Sequence, residues 1–275
     1  MRNNIFLPSD LLLFHGPDRT AFSVVACDQY TSEPEYWERV EQYVDGKPSS
    51  LRLIYPEAYL KAPDFTKRIN AINQNMTDYL QKGLFDLQKD CFLYVERTLR
   101  SGKIRRGLIG KIDLEAYDFD AASQSAVRAT EGTVLSRIPP RVKIRENAPL
   151  ELPHIMLLID DRERAVIESL SERKHSFPQT YAFDLMENSG RLEGYLVPKE
   201  EEKRILAGLN QLSEKSIFQQ KYAVTGKEAL VYAVGDGNHS LATARQCYLN
   251  LKREIGEEQA LRHPDVYKRQ VMIPV

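Results

Sequence analysis

The stretch 234–245, VGDGNHSLATAR, places two glycines, an acid, an amide and a histidine at five successive positions, 235–239. It leaves the apolar run ALVYAV and enters sequence with helical spacing. Gly235 and Gly237 permit positive φ and close backbone approach, and the free amides at a helix start, with the positive end of its dipole, make a seat for an anion. Phosphate is the commonest such guest. Asp236 is suited to holding a metal ion or acting as a base, His239 to donating to a phosphate oxygen, and Ser240 or Thr243 to supplying a hydroxyl. A capping explanation has equal standing on these residues alone: Asp236 or Asn238 is then an N-cap and His239 a satisfied imidazole. The motif is neither a Walker loop nor the GxGxxG fingerprint.

A second group is SRIPPRVKIRE, 136–146, in which Arg141, Lys143 and Arg145 alternate with Val142 and Ile144. That alternation predicts an extended strand with three cations on one face, and Arg137 is a fourth candidate. Such a face suits a diphosphate or triphosphate. The competing explanation is a solvated edge strand whose charges oppose aggregation. Glu131, between small residues and next to this cationic segment, is the leading carboxylate for acid–base work or for Mg²⁺, with Asp28 second. Cys27, beside Asp28, has no histidine near it in sequence and reads as a small buried hydrophobe. Asp160 and Asp161 read as solvated acids at a strand end.

Elements must position these groups. A strand is expected over 22–26, and a helix from about Ser32 with Pro34 early in it. LRLIYPEAYL suggests a short strand stopped by Pro56. Apolar residues at Ile69, Ile72, Met76 and Leu80 give a helix ending at Lys82-Gly83. CFLYVERTLRSGKIRRGLIGKIDL is a hairpin turning at Ser101-Gly102-Lys103, and QTYAFDLMENSGRLEGYLV a second one turning at Asn188-Ser189-Gly190. HIMLLID is a buried strand, KEEEKRILAGLNQLSEKSIF an amphipathic helix through Ile205, Leu209 and Leu212, and Leu241, Ala244, Tyr248, Leu251 and Ile255 form the stripe of a helix after the motif. Hairpins mixed with a strand–turn–helix unit imply an α+β or mixed α/β fold.

The chain has 275 residues, with 38 Lys plus Arg against 39 Asp plus Glu, so there is no bulk positive field of the kind a non-specific nucleic-acid binder uses. Its three cysteines, Cys27, Cys91 and Cys247, form no CxxC pair, which argues against a disulfide framework or a zinc knuckle and for a reducing, cytoplasmic setting. No apolar run is long enough to span a membrane, and no signal-peptide pattern opens the chain.

DGNHSLATAR resembles the DGHHR or DGNHR turn of the ParB/sulfiredoxin superfamily, whose members bind nucleotide phosphates at such a strand-to-helix junction. More specifically, VVACDQYTSEPEYW, RRGLIGKIDLEAYDF, ATEGTVLSRIPPRVKIRENAPLELPHIMLLIDD and AVGDGNHSLATAR occur in the order found in a bacterial family called domain of unknown function 1015, and the chain is similar to it over nearly all its length. The resemblance implies a ParB/sulfiredoxin-like core elaborated with β-hairpins and peripheral helices, with phosphates against the 235–240 turn. It sets the cationic segment beside Glu131 and Thr133, which match the family pattern His-Glu-x-Thr as Thr130-Glu131-Gly132-Thr133. The sequence departs from the family at Ser240, where an arginine is usual, and at Cys27-Asp28-Gln29-Tyr30, which replaces Pro-Pro-Tyr-Asp; the sulfiredoxin cysteine has no counterpart.

Residues 1–264 are expected to form one intertwined domain. DVYKRQVMIPV stops matching the family, so 265–275 is set apart as an aberrant tail, as though the chain were cut. The implied activity is phosphoryl transfer from ATP or another nucleotide, with Mg²⁺, to a small hydroxylated metabolite. Glu131, Asp28, Asp236 and His239 are its candidate catalytic groups, and Glu131 and Asp236 its candidate metal ligands. Gly235, Gly237, Asn238, His239, Ser240, Thr133, Arg137, Arg141, Lys143 and Arg145 are its candidate binding groups. The alternatives are a slowly hydrolysing nucleotide switch acting through a protein partner, and a non-enzymatic module.

Overall fold

The computed structural model describes residues 4–26, 30–59, 63–120 and 122–274, with side chains as far as Lys268. In chain order the elements are β1 (Phe6–Leu7), β2 (Ser9–Phe14), α1 (Arg19–Phe22), α2 (Pro34–Val44), α3 (Phe65–Gln81), β3 (Phe85–Cys91), β4 (Leu93–Thr98), β5 (Ile104–Asp113), β6 (Tyr117–Asp118) and β7 (Val127–Ala129). They continue with α4 (Ile138–Arg145), β8 (Met156–Ile159), α5 (Glu168–Arg173), β9 (Gln179–Asp184), β10 (Arg191–Leu196), α6 (Lys199–Leu212), α7 (Lys215–Tyr222), β11 (Tyr232–Asp236), α8 (Asn238–Ile255), α9 (Glu257–Ala260) and β12 (Tyr267–Pro274). This is the mixed α+β architecture that the element order implied.

Among the described residues one mixed sheet runs β6-β7-β11-β8-β12-β5-β4-β10-β9, with β1 also on β5, and β2 and β3 form a separate ladder. Both expected hairpins are present: β4 pairs antiparallel with β5, and β10 with β9. Gly102 and Gly190 carry positive φ at their turns, where a side chain would be strained. Helix α3 ends as its pattern requires, with Gly83 in the left-handed region just beyond it. The strand β12 lies between β5 and β8, so the segment set apart in the sequence is threaded through the middle of the sheet.

Three expectations about elements fail for identifiable reasons. The segment 22–26 is not a strand: Asp18 caps the short helix α1 by accepting from the Ala21 amide, and Phe22 stacks on Phe14 with ring centroids 4.0 Å apart. LRLIYPEAYL is not a strand either, because Ser49 Oγ accepts from the Leu51 amide and starts a 3₁₀ turn that tucks Leu53 against Ile72, Met76 and Tyr79. The third is 138–145, which is the helix α4 and not an extended strand. Pro139 and Pro140 sit in its first turn, where their missing N–H groups cost no intrahelical bond, and buried Ile138 anchors its start.

The main core packs on one face of the sheet, with Phe6 stacked on Phe92 and with Tyr94, Leu108, Ile155, Leu157, Tyr232 and Val234 fully or nearly fully enclosed. From α8 it takes Leu241, Ala244 and Tyr248, the predicted stripe, with Ile255 packed at its margin. Burying each such large aliphatic or aromatic side chain is worth about 1.5–3 kcal/mol. That apolar contact fixes where the N-terminus of α8 points. No helix among the described residues is long and apolar enough to cross a membrane.

Candidate functional site

The site is built by one pairing. β7 and β11 are parallel neighbours, with Tyr232 opposite Val127, Ala233 opposite Arg128 and Val234 opposite Ala129. The segments that leave the two strands therefore emerge at the same edge of the sheet: the 130–137 loop after β7 and the 235–240 turn after β11. The carboxyl ends of parallel strands are where α/β sheets present their ligand-binding loops.

The two glycines act differently. Gly237 is the N-cap of α8 at φ 85°, and a Cβ there would lie 2.8 Å from Ile155 Cγ1. Gly235 has no positive φ; it sits in the strand where the β11–β8 register shifts, and a Cβ would lie 2.7 Å from Leu158 Cγ. The first therefore answers to conformation and contact, the second to contact alone.

Gly237, at the N-cap position of α8, has no side chain to cap the helix, and the first backbone bond runs from the Leu241 amide to the Gly237 carbonyl at 2.9 Å. The amides of the first turn, 238–240, precede that bond, as they do in any α-helix. Asn238 is spent elsewhere: it is buried, its Oδ1 accepts from the Thr130 amide at 3.2 Å, and its Nδ2 lies 3.4 Å from Thr130 Oγ1, Glu131 Oε1 and the Val234 carbonyl. The Thr130 hydroxyl also donates to the Val234 carbonyl at 2.5 Å. Asn238 thus ties the two loops together.

His239 completes the tie, its Nε2 accepting from the Val134 amide at 3.1 Å. With Nε2 an acceptor, the neutral ring carries its proton on Nδ1, which becomes the available donor. Desolvation first, then the positive charges of Arg141 and Arg137, hold the imidazole below its ordinary pKa, against the opposing pull of Glu131 and Glu57. Thr243, by contrast, turns its hydroxyl onto the His239 carbonyl at 2.7 Å.

The helical form of 138–145 redistributes the cations. Successive residues rotate by about 100°, so Arg137, Arg141 and Arg145 share a face and Lys143 points away from it. Arg141 caps the preceding turn through Nη1 to the Arg137 carbonyl at 3.1 Å and pairs with Glu57 through Nη2. Arg145 pairs with Glu151, which also holds the buried Lys268 at 2.7 Å, so it belongs to a structural cluster against β12. Lys143 is exposed. Of the four cations expected on one strand face, Arg137 and Arg141 are the two whose charges act on His239.

The other candidates divide similarly. Glu131 is exposed and touched by Asn238, Thr133 Oγ1 is enclosed without a hydrogen-bond partner, and Ser240 is half-buried in the first turn of α8. Asp236 is exposed at the end of β11. Asp28 and Cys27 lie outside the described residues. Among the described residues, no three His, Cys, Asp or Glu side chains gather as a metal cage. Mg²⁺ asks for less, since it is commonly held by one or two carboxylates together with substrate phosphates, and Glu131 and Asp236 fit that donor type.

Three participants went unnoticed in the sequence: Thr130, the Val134 amide and Glu57. Thr130 stood in the matched pattern; Glu57, in a turn 84 residues before Arg141, carried no local signal.

The architecture is that of a mixed α+β protein with a glycine-bearing strand-to-helix turn. The chain matches the model of the family described as "Protein of unknown function (DUF1015)" over residues 12–273, and it belongs to that family. No curated protein and no solved structure matches it.

Proposed function

We propose that this protein binds a nucleotide by its phosphates at the 235–240 turn, in the manner of the ParB/sulfiredoxin-type turn that the motif resembles, and transfers a phosphoryl group to a small hydroxylated metabolite. The observation that carries the reading is that His239, in the first turn of α8 and bonded to the Val134 amide, lies in the field of both Arg137 and Arg141. Fixed amides, two guanidinium groups and an Nδ1–H donor are complementary to phosphate oxygens and to little else. Arg137 and Arg141 then take the place of the arginine that Ser240 replaces.

In this reading Glu131 accepts the proton of the attacking hydroxyl, the phosphoryl group passes to that oxygen, and the nucleoside diphosphate leaves. Mg²⁺ bound with the nucleotide would offset the charge on its phosphates, and Glu131 and Asp236 are the carboxylates that would hold it. Asn238 and Thr130 act on position, holding Glu131 next to the turn. The unpaired thiols of Cys91 and Cys247 suit a reducing cytosol.

The test is a thermal-shift panel of ATP, ADP, CTP and GTP with Mg²⁺, followed by a search for a phosphorylated small product. A stabilising shift of RT ln(1 + [L]/Kd) is expected for at least one nucleotide. A folded protein that responds to none of them would sink the proposal. A shift without any phosphorylated product would favour a nucleotide switch instead.

A further inference from the structure

A cavity of about 540 Å³ opens between α2, the 50–59 turns and α3, outside the site just described. Its walls include Trp37, Tyr55, Pro56, Tyr59, Arg68 and Ala71. The volume lies within the range of roughly 300–1,000 Å³ typical of small-molecule sites.

The wall is ordered. Trp37 donates its indole N–H to the Tyr30 carbonyl at 2.9 Å, the Tyr55 hydroxyl donates to the Tyr59 carbonyl at 3.0 Å, and the Arg68 guanidinium stacks on the Tyr59 ring at 4.7 Å. Its two arginines are already paired. Arg52 is paired with Glu41, and Arg68 with Asp64 at 2.9 Å. Aromatic and guanidinium planes accept a neutral planar ring by stacking. The amides of Asn75 and Gln42, also in the wall, supply both donors and acceptors for a heteroaromatic edge.

One residue links the cavity wall to the turn. Glu57 follows Pro56 and precedes Tyr59 in one 3₁₀ turn, pairs with Arg141, and acts with it on His239. A ligand with phosphates against Arg141 would therefore sit beside the turn whose neighbours Pro56 and Tyr59 line this cavity.

We infer that the cavity between α2, the 50–59 turns and α3 binds the purine base of the nucleotide whose phosphates occupy the 235–240 turn, an assignment that rests on the phosphate reading above. Trp37 is the single tryptophan of the chain, so its emission reports directly on occupancy. Three probes separate the two sites: adenosine, which has no phosphate; inorganic tripolyphosphate, which has no base; and ATP with Mg²⁺.

Adenosine and ATP should both change Trp37 emission, and tripolyphosphate should raise the melting temperature without changing it. Ala71→Phe places a ring in the cavity from an exposed helix position, so folding is retained. It should weaken adenosine and ATP binding by about tenfold or more while leaving the tripolyphosphate shift intact. Adenosine that leaves Trp37 emission unchanged, or ATP affinity that is the same in Ala71→Phe, overturns the base assignment even where tripolyphosphate binds. Failure of tripolyphosphate alone overturns the phosphate reading, and this inference with it.

Discussion

Asn238→Asp tests the tie on which the site depends. The substitution keeps the volume and keeps an oxygen to accept the Thr130 amide bond, now 3.2 Å long, but replaces the Nδ2 donor with a second carboxylate oxygen. That oxygen would face Glu131 Oε1, Thr130 Oγ1 and the Val234 carbonyl, each 3.4 Å from Nδ2. Burial and a neighbouring carboxylate both disfavour the charged form, so the new acid should have its folded-state pKa raised by about 1–2 units. Each unit corresponds to about 1.4 kcal/mol, which puts the cost near neutral pH at roughly 1–3 kcal/mol, with the exposed Glu131 contributing its share at the lower end.

Linkage sets the sign. A raised pKa means that the native state loses stability as pH climbs through the folded value, and that the penalty vanishes below the unfolded value of about 3.9. Melting temperatures measured by circular dichroism should therefore separate wild type and variant by several degrees at about pH 7.5 and bring them together at about pH 4. Asn238→Ala, which strands the Thr130 amide, should cost about 1–3 kcal/mol at both pH values. An Asn238→Asp protein as stable as wild type at neutral pH, with no pH-dependent gap, would refute the contacts of Asn238 and with them the positioning of Glu131.

Other perturbations reach the same site by different routes. Gly237→Val combines a left-handed φ of 85° with a Cβ 2.8 Å from Ile155 Cγ1, so it should destabilise by about 2–4 kcal/mol and lower the denaturant midpoint. His239 has its pKa depressed, so its contribution to stability is present above its unfolded pKa and is lost as pH falls through the folded value; His239→Gln should remove that acid-side decline from a pH series of melting temperatures. Arg141→Gln should weaken tripolyphosphate binding by about tenfold, measured by calorimetry. The lost pair with Glu57, whose side chain is 42% exposed, should cost under about 1 kcal/mol of stability. Lys143→Gln should leave binding within about twofold, because α4 turns this residue away from Arg141.

The sequence by itself determined much of this protein. The 3.6-residue stripes that became α3, α6 and α8, the glycine-marked turns of the two hairpins, and the strand–turn–helix at 232–255 were all readable, because each depends on neighbours a few positions away. The type of site was not, since glycine, amide and imidazole at a helix start fit a capped turn as well as an anion seat. Only the tertiary structure decided how the cations are used. The alternation in RVKIR fits a strand, yet Pro139 and Pro140 start a helix that packs along α8, and that turns Lys143 outward and leaves Arg145 to Glu151. The parallel register of β7 on β11 brings Thr130 and Val134 to Asn238 and His239 across more than 100 residues, a contact no local pattern encodes. Glu57 enters the same way, through packing of the 50–59 turns on α3 and not through any motif. Spacing along the chain sets which face a side chain shares with its near neighbours, whereas burial of apolar surface across the whole fold sets which distant faces meet.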